Sequence, residues 1–362
     1  MKLVVLVLGF CAMYVFVKWI TSRPQYRGLS IALLGFLPIA STFSSYTDIA
    51  IVSWPYWAGQ TKGLQINLMD IYAVVVLLTT PRRREKSPLL TPILLYAAAV
   101  ALSLLQSRET TPTLFYLWQQ IKLVILFFGV RRLLREPRDS VYIFYGLAAG
   151  IVVEAPVAVY QRFVLGMFQT YGTFNHQNTL GMALHFFFYP AVMLWLQYRD
   201  RILFFGLAAA SVSVILTASR GSIGIMAVCA LASILISLWH GADKAKIRLV
   251  FFIAIVASAL SPFAYMQLEK RYMALEESDG YDERAAFIGA ARLILSDYPM
   301  GIGANNYVLV ANQGGYLDAA GVAATQGSRA TLVHNMYWLT LAELGYVGFA
   351  IFMLFIIAPI LK

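Results

Sequence analysis

Runs of about 17 to 25 mostly apolar residues recur along this 362-residue chain, and each is long enough to cross a ~30 Å hydrocarbon core as a helix. Hydrophobic residues make up 60% of the chain and charged ones 13%, far from the balance of a water-soluble domain. Lipid must therefore be the solvent for most of it. Stretches such as Ile202 to Leu216 and Leu249 to Leu260 are almost continuously apolar, which excludes the in/out alternation of barrel strands. Inside a bilayer the backbone must satisfy its own hydrogen bonds, and helices do that without a closed sheet. The sequence thus predicts an all-α, polytopic transmembrane helical bundle. No repeat or low-complexity linker divides it, so residues 1–362 read as a single membrane domain.

The expected spans are 3–21, 28–45, 66–80, 89–106, 113–130, 140–160, 177–197, 202–218, 221–239, 249–268 and 335–361. They make about eleven helices, or twelve if Ile49 to Trp57, beyond a second span interrupted by Pro38, forms a further interfacial piece. The formal net charge of +10 does not call for nucleic acid. Blocks such as Arg82-Arg83-Arg84 and Arg131-Arg132 sit beside hydrophobic spans, as the positive-inside rule requires of cytoplasmic loops. With Arg82 to Lys86 in the cytoplasm, the loops holding Arg23/Arg27, Arg131 to Arg138, Arg199/Arg201 and Lys244 to Arg248 fall on the same side. More than half of the 28 Lys and Arg then lie there. The long polar interval from Glu269 to His334 falls outside, on the periplasmic or extracellular face. Cys11 and Cys229 lie in apolar runs and read as packing residues. The N-terminal run reads as a retained helix rather than a cleaved signal. The last span ends almost at Lys362, so the natural chain is expected to continue.

Within the large loop, Phe287, Ile288, Ala291, Ile294 and Leu295 keep helical spacing over Arg284 to Ser296. That predicts an amphipathic helix on the membrane surface. Arg284, Ile288 and Arg292 share one stripe at i, i+4, i+8, so the two guanidiniums either face one site or meet lipid phosphates. Asp297 to Asn306 follows, where Pro299, Gly301 and Gly303 predict a tight turn. Without a βαβ context, Gly301-x-Gly303 is no dinucleotide fingerprint. His334-Asn335 then precedes Tyr337-Trp338 and Glu343-Leu344-Gly345 as the chain re-enters the bilayer. Of the four histidines, namely His176, His185, His240 and His334, the last is best placed to meet an external substrate as a base. A lone histidine is nevertheless more often structural.

Two shorter external segments also carry polar chemistry. In Thr217-Ala218-Ser219-Arg220-Gly221-Ser222, a nearly isolated cation sits between two very hydrophobic helices, which is costly unless it snorkels or meets an anion. In Tyr171-Gly172-Thr173-Phe174-Asn175-His176-Gln177-Asn178, preceded by Arg162, the amides could bind sugar hydroxyls or merely cap a helix. The acidic residues Glu276, Glu277, Asp279, Asp282 and Glu283 match no metal loop and read as a solvated turn. No metal and no cofactor is expected, and without a Walker A motif or a nucleotide-binding domain an ATP-driven pump would need another subunit.

Taken in order, Thr217-Ala218-Ser219-Arg220-Gly221, Arg284 before its helix, Tyr298-Pro299-Met300-Gly301-Ile302-Gly303, and His334-Asn335 with Glu343-x-Gly345 resemble the O-antigen ligase and polymerase superfamily over roughly residues 170 to 350. The segment Phe174 to Asn178 is similar to that family's Asn-rich stretch. The resemblance implies a GT-C-like membrane glycosyltransferase of surface polysaccharide assembly in the bacterial inner membrane. Its site would face the periplasm or exterior, and its donor would be a glycan on a polyprenyl (usually undecaprenyl) pyrophosphate carrier. The acceptor it implies is a hydroxyl of lipid A-core, of another carrier-linked glycan or of a protein. Arg220 and Arg284 would hold the pyrophosphate and His334 would take the acceptor's proton, with Arg162, Arg292, Asn175, Asn178 and Asn335 as further binding residues. A flippase of the same lipid-linked glycan and a non-catalytic assembly subunit are the rival readings.

Overall fold

The computed structural model describes residues 2–43, 48–82, 87–239 and 283–361, with isolated positions between 241 and 265. Every expected span within these residues is a helix: α1 (Lys2–Thr21), α2 (Arg27–Ala40), α3 (Leu68–Thr79), α4 (Leu90–Leu102), α5 (Thr110–Leu133), α6 (Asp139–Phe163), α7 (Gln177–Tyr198), α8 (Arg201–Leu216) and α9 (Arg220–Trp239), and after the loop α14 (Met336–Ile357). Between them in the loop lie α10 (Glu283–Asp297), α11 (Tyr307–Gln313), α12 (Tyr316–Ala319) and α13 (Gln326–Arg329). The span expected over 249–268, His240 and the acids Glu276, Glu277, Asp279 and Asp282 lie outside the described residues. Among the described residues seven helices are long and apolar enough to cross a membrane, while α3, α4 and α8 are apolar but shorter.

Small residues let these helices approach where no hydrophobic drive separates lipid from protein. α2 packs along α6, and a Cβ on Gly146 would stand 1.7 Å from the Ala32 carbonyl oxygen, one on Gly35 2.0 Å from that of Ile143. α6 in turn meets α8, α7 packs on α8 and α9, and α3 packs on α1 and α5. The basic loops gather at one end of the bundle. Arg27 pairs with Asp139, Arg199 with Asp243 at 3.1 Å, and Tyr145 donates to the Asp200 carboxylate that caps α8.

One element departs from the all-α expectation. The apolar stretch after α2 forms an antiparallel hairpin, β1 (Asp48–Ser53) with β2 (Gly63–Asn67), in which Asp48 faces Asn67. Asn67 ends β2 and at once caps α3 in a reciprocal box with Asp70, so the strand delivers the chain into the next helix. The hairpin's turn reaches the long loop, where the Trp57 indole N–H donates to the Asn305 carbonyl at 3.2 Å.

The amphipathic face of α10 also differs in use from what was expected. Phe287, Ala290, Ala291 and Ile294 are fully buried, but against Tyr307, Val308, Leu317, Val333 and Leu339 of the loop and of α14. The stripe is covered by protein, not by lipid, and it gives the loop a hydrophobic core of its own.

That core is bolted to the membrane helices at a break in α14. Gly345 leaves helical geometry with φ 67° and ψ −171°, a region open essentially to glycine alone. The turn after α10 fills the gap like an added strand. Ile302 and Gly303 donate to the carbonyls of Ala342 and Glu343 at 3.1 and 2.9 Å, and Tyr346 donates to that of Pro299 at 3.2 Å. The buried Glu343 carboxylate accepts from the backbone N–H of Tyr307 at 3.1 Å, capping the start of α11, where a helix exposes unpaired donors. Asn305 and Asn306 tie the same turn to the hairpin and to α5. The Asn305 amide donates to the carbonyls of Thr61 and Pro112, and the Asn306 amide to that of Glu109. Non-helical backbone in a membrane helix survives only when protein satisfies it in this way.

Candidate active site

The starts of three helices meet at one open cavity of about 520 Å³. Gln177 and Asn178 come from the first turn of α7, Arg220, Gly221 and Ser222 from that of α9, and Arg284 from that of α10. Each helix start carries a partial positive charge near half an elementary unit, so three of them and two guanidiniums create an anion site. No carboxylate is among the described lining residues.

The local chemistry of each wall follows from its sequence. Thr217 to Ser219 turns α8 into α9 with almost no linker, which puts Ala218 at φ 49°, a strained value for a residue with a Cβ. The Thr217 hydroxyl accepts from the Ser219 N–H at 3.1 Å. The Ser219 hydroxyl accepts from the Ser222 N–H at 3.4 Å, the N-cap bond of α9, and donates to the Asn178 side-chain oxygen at 3.0 Å. Arg220 is thereby fixed at the first position of its helix, beside α7.

The loop from α6 to α7 is held from below by α6. Gln161 accepts from the Tyr171 and Gly172 N–H groups at 3.0 and 2.8 Å and donates to the Gly172 carbonyl at 2.7 Å. Glu154, two turns earlier on the same face, accepts from the N–H and hydroxyl of Thr173 at 2.7 and 2.8 Å. Gly172 sits at φ 59°, and a Cβ there would fall 1.6 Å from a Glu154 oxygen, so the approach requires glycine. Glu154 is therefore a scaffold for this loop, which supplies Gln169 to the cavity.

The structure thus brings Arg220, Arg284 and Asn178 together, whereas the other residues singled out in the sequence sit elsewhere. Arg162 donates to the carbonyls of Met167 and Phe168 at 3.0 and 2.7 Å and shapes the loop rather than the cavity wall. Arg292 lies over the Trp338 ring at 4.9 Å, two turns along α10 from Arg284. Asn175 is exposed, and Asn335 caps α14 by accepting from Tyr337 and Trp338. His334 is exposed and does not line the cavity, but its ring meets the edge of Phe287 at 6.0 Å. Phe287 follows Arg284 by three residues, about 4.5 Å along the helix.

His185 escaped the sequence reading although it lines the same cavity. Its Nε2 is 2.9 Å from the Ser222 carbonyl oxygen, which can only accept, so in the neutral ring Nε2 carries the proton and Nδ1 the lone pair. Its spacing of seven from Asn178, on one face of α7, was the available signal.

The walls given by α9 and α10 lie in residues 205–353, which match the family model described as O-antigen ligase. The match runs from α8 into α14 and includes Arg220, Arg284 and His334. No curated protein and no solved structure matches the chain significantly. The O-antigen ligase domain, within a chain of many membrane-length helices, makes this a multi-pass membrane protein of the group that handles glycans in polysaccharide assembly.

Proposed function

We propose that this protein transfers a glycan from a polyprenyl-pyrophosphate carrier to an acceptor hydroxyl, on the outer face of a bacterial inner membrane. The observation that carries the proposal is the meeting of Arg220 and Arg284, 64 positions apart in the chain, in one cavity made of three helix starts. A planar guanidinium matches phosphate oxygens and keeps its charge near lipid. The two arginines bind the pyrophosphate and stabilise the charge that grows on it as the glycosidic C–O bond breaks.

In this mechanism the acceptor oxygen attacks the anomeric carbon from the side opposite the pyrophosphate, forming the new glycosidic bond with inversion. His334 takes the hydroxyl proton, and the polyprenyl pyrophosphate departs as the leaving group. The energy of that bond drives the step without ATP. A flippase would keep its unwound helix open to substrate, and here the break at Gly345 is filled by the protein's own turn, which favours transfer.

The test is reconstituted transfer with purified polyprenyl-pyrophosphate glycan and lipid, glycan or protein acceptors. Arg220→Ala should slow transfer about 10- to 150-fold while the protein inserts and purifies normally. Wild-type turnover in that variant, or glycan crossing vesicle membranes with no product on any acceptor, would overturn the proposal.

A further inference from the structure

A second cavity, of about 510 Å³, opens at the other end of α10. It is formed where the α4–α5 connection meets the loop, with Gln106, Ser107 and Arg108 on one wall and Tyr298, Gln313 and Tyr316 on the other. Arg284 and Asp297 lie at opposite ends of α10, so roughly 20 Å of helix separates this cavity from the arginine cavity. Both fall on the side of the bundle opposite the basic loops.

The lining is ready for a polar ligand. Gln106, Arg108 and Gln313 are exposed, and their side-chain donors have no protein partner among the described residues. The Tyr316 ring is held in place. The Tyr316 hydroxyl donates to the Asp297 carboxylate at 2.7 Å, and a Cβ on Gly314 would stand 2.3 Å from the Tyr316 ring. Hydrogen bonding to Asp297 and desolvation push the Tyr316 phenol up, so it stays a protonated donor at any physiological pH. The Ser107 hydroxyl is fixed between the Ser103 carbonyl and the Thr113 hydroxyl. Amides, a guanidinium and two aromatic rings, that of Tyr316 fixed, around a space of ligand size suit a pyranose, whose hydroxyl edge hydrogen-bonds and whose C–H faces rest on rings.

We infer that this cavity is a glycan subsite, which holds sugars of the donor or acceptor about 20 Å from the reacting bond, with Arg108 facing an acidic sugar where one is present. The inference rests on the transfer reading, because a remote subsite for sugars makes sense only if the arginine cavity handles the pyrophosphate end of a glycan.

Carrier-free oligosaccharides, released from pyrophosphate and divided into neutral and uronic-acid-containing sets, test the subsite apart from the transfer reaction. The full-length protein in nanodiscs should bind at least one set, and the Arg220→Ala variant should bind it equally. Tyr298→Ala/Gln313→Ala should weaken binding at least about tenfold. Arg108→Gln, an exposed change that spares the fold, should weaken the uronic-acid set more than the neutral one. Unchanged binding in Tyr298→Ala/Gln313→Ala, loss of binding in Arg220→Ala, failure of both sets to bind at millimolar concentration, or displacement by short-chain phosphatidylglycerol would overturn the subsite. If carrier-free glycan binds as expected but the wild-type protein transfers nothing, the transfer reading fails instead.

Discussion

If Arg220 and Arg284 grip one anion, removing them must show coupling, and a double-mutant cycle measures it. A charge-assisted hydrogen bond to a phosphate is worth roughly 1.5–3 kcal/mol, so each alanine variant should lose about 10- to 150-fold in transfer rate. Both arginines line one cavity of about 520 Å³, and residues that share one partner interact rather than add. Once one guanidinium is gone, the diphosphate shifts toward the other or is lost, and the second removal costs less. The double variant should therefore fall short of the summed losses by at least ~1 kcal/mol, about fivefold in rate. The assay is single-turnover transfer in nanodiscs at saturating donor, so that weakened binding does not pass for slow chemistry. Losses that add to within ~0.3–0.5 kcal/mol would mean that the arginines serve separate ligands, and the shared pyrophosphate site would be refuted.

Two further outcomes follow from the site and its scaffold. His334→Ala should slow transfer by about 10²–10⁴, and free imidazole should restore part of the rate; wild-type turnover would remove His334 from the chemistry and leave His185 as the imidazole at the cavity. Gly345→Ala should cost about 2–6 kcal/mol from positive-φ strain and overpacking, since its Cβ would lie 2.4 Å from the Met300 carbonyl carbon. A lower midpoint of thermal unfolding and faster amide exchange across 299–306 are expected, and an unchanged midpoint with unchanged exchange would show that the break is not needed.

How legible each part was depended on whether its cause is local. Helix positions follow from runs of apolar residues, and the described helices fall on the expected spans. Arg220 stood out because an isolated cation between lipid-facing helices demands a reason, and that reason is visible in one short segment. Glu343, Asn305 and Asn306 read only as punctuation, because their partners lie far off in sequence: Asn305 meets Thr61 across 244 positions. The hairpin escaped for a related reason. Its strands look like any short apolar run, and what holds it is the remote contact of Trp57 and Thr61 with Asn305. The face of α10 was found but given to the wrong partner, since an apolar stripe does not say whether lipid or protein covers it.

The scaffold explains why an anion site can stand beside lipid at all. Arg220 and Arg284 come from distant parts of the chain, and both must be held at one cavity. Something must hold the loop there without help from the ligand. The filled break in α14 does so: its backbone bonds, the Glu343 cap on α11 and the Asn305–Asn306 ties fix the far end of the loop core. α10 packs on that core through Phe287 and Ile294, and Arg284 rides in its first turn. On the opposite wall, Asn178 and Ser219 lock α7 to α9. Backbone hydrogen bonds and packing on both sides therefore hold the two arginines in place. A site preorganised in this way stabilises charge without reorganising as the reaction proceeds. It also gives Gly301, Gly303 and Gly345 a part in the support of Arg284.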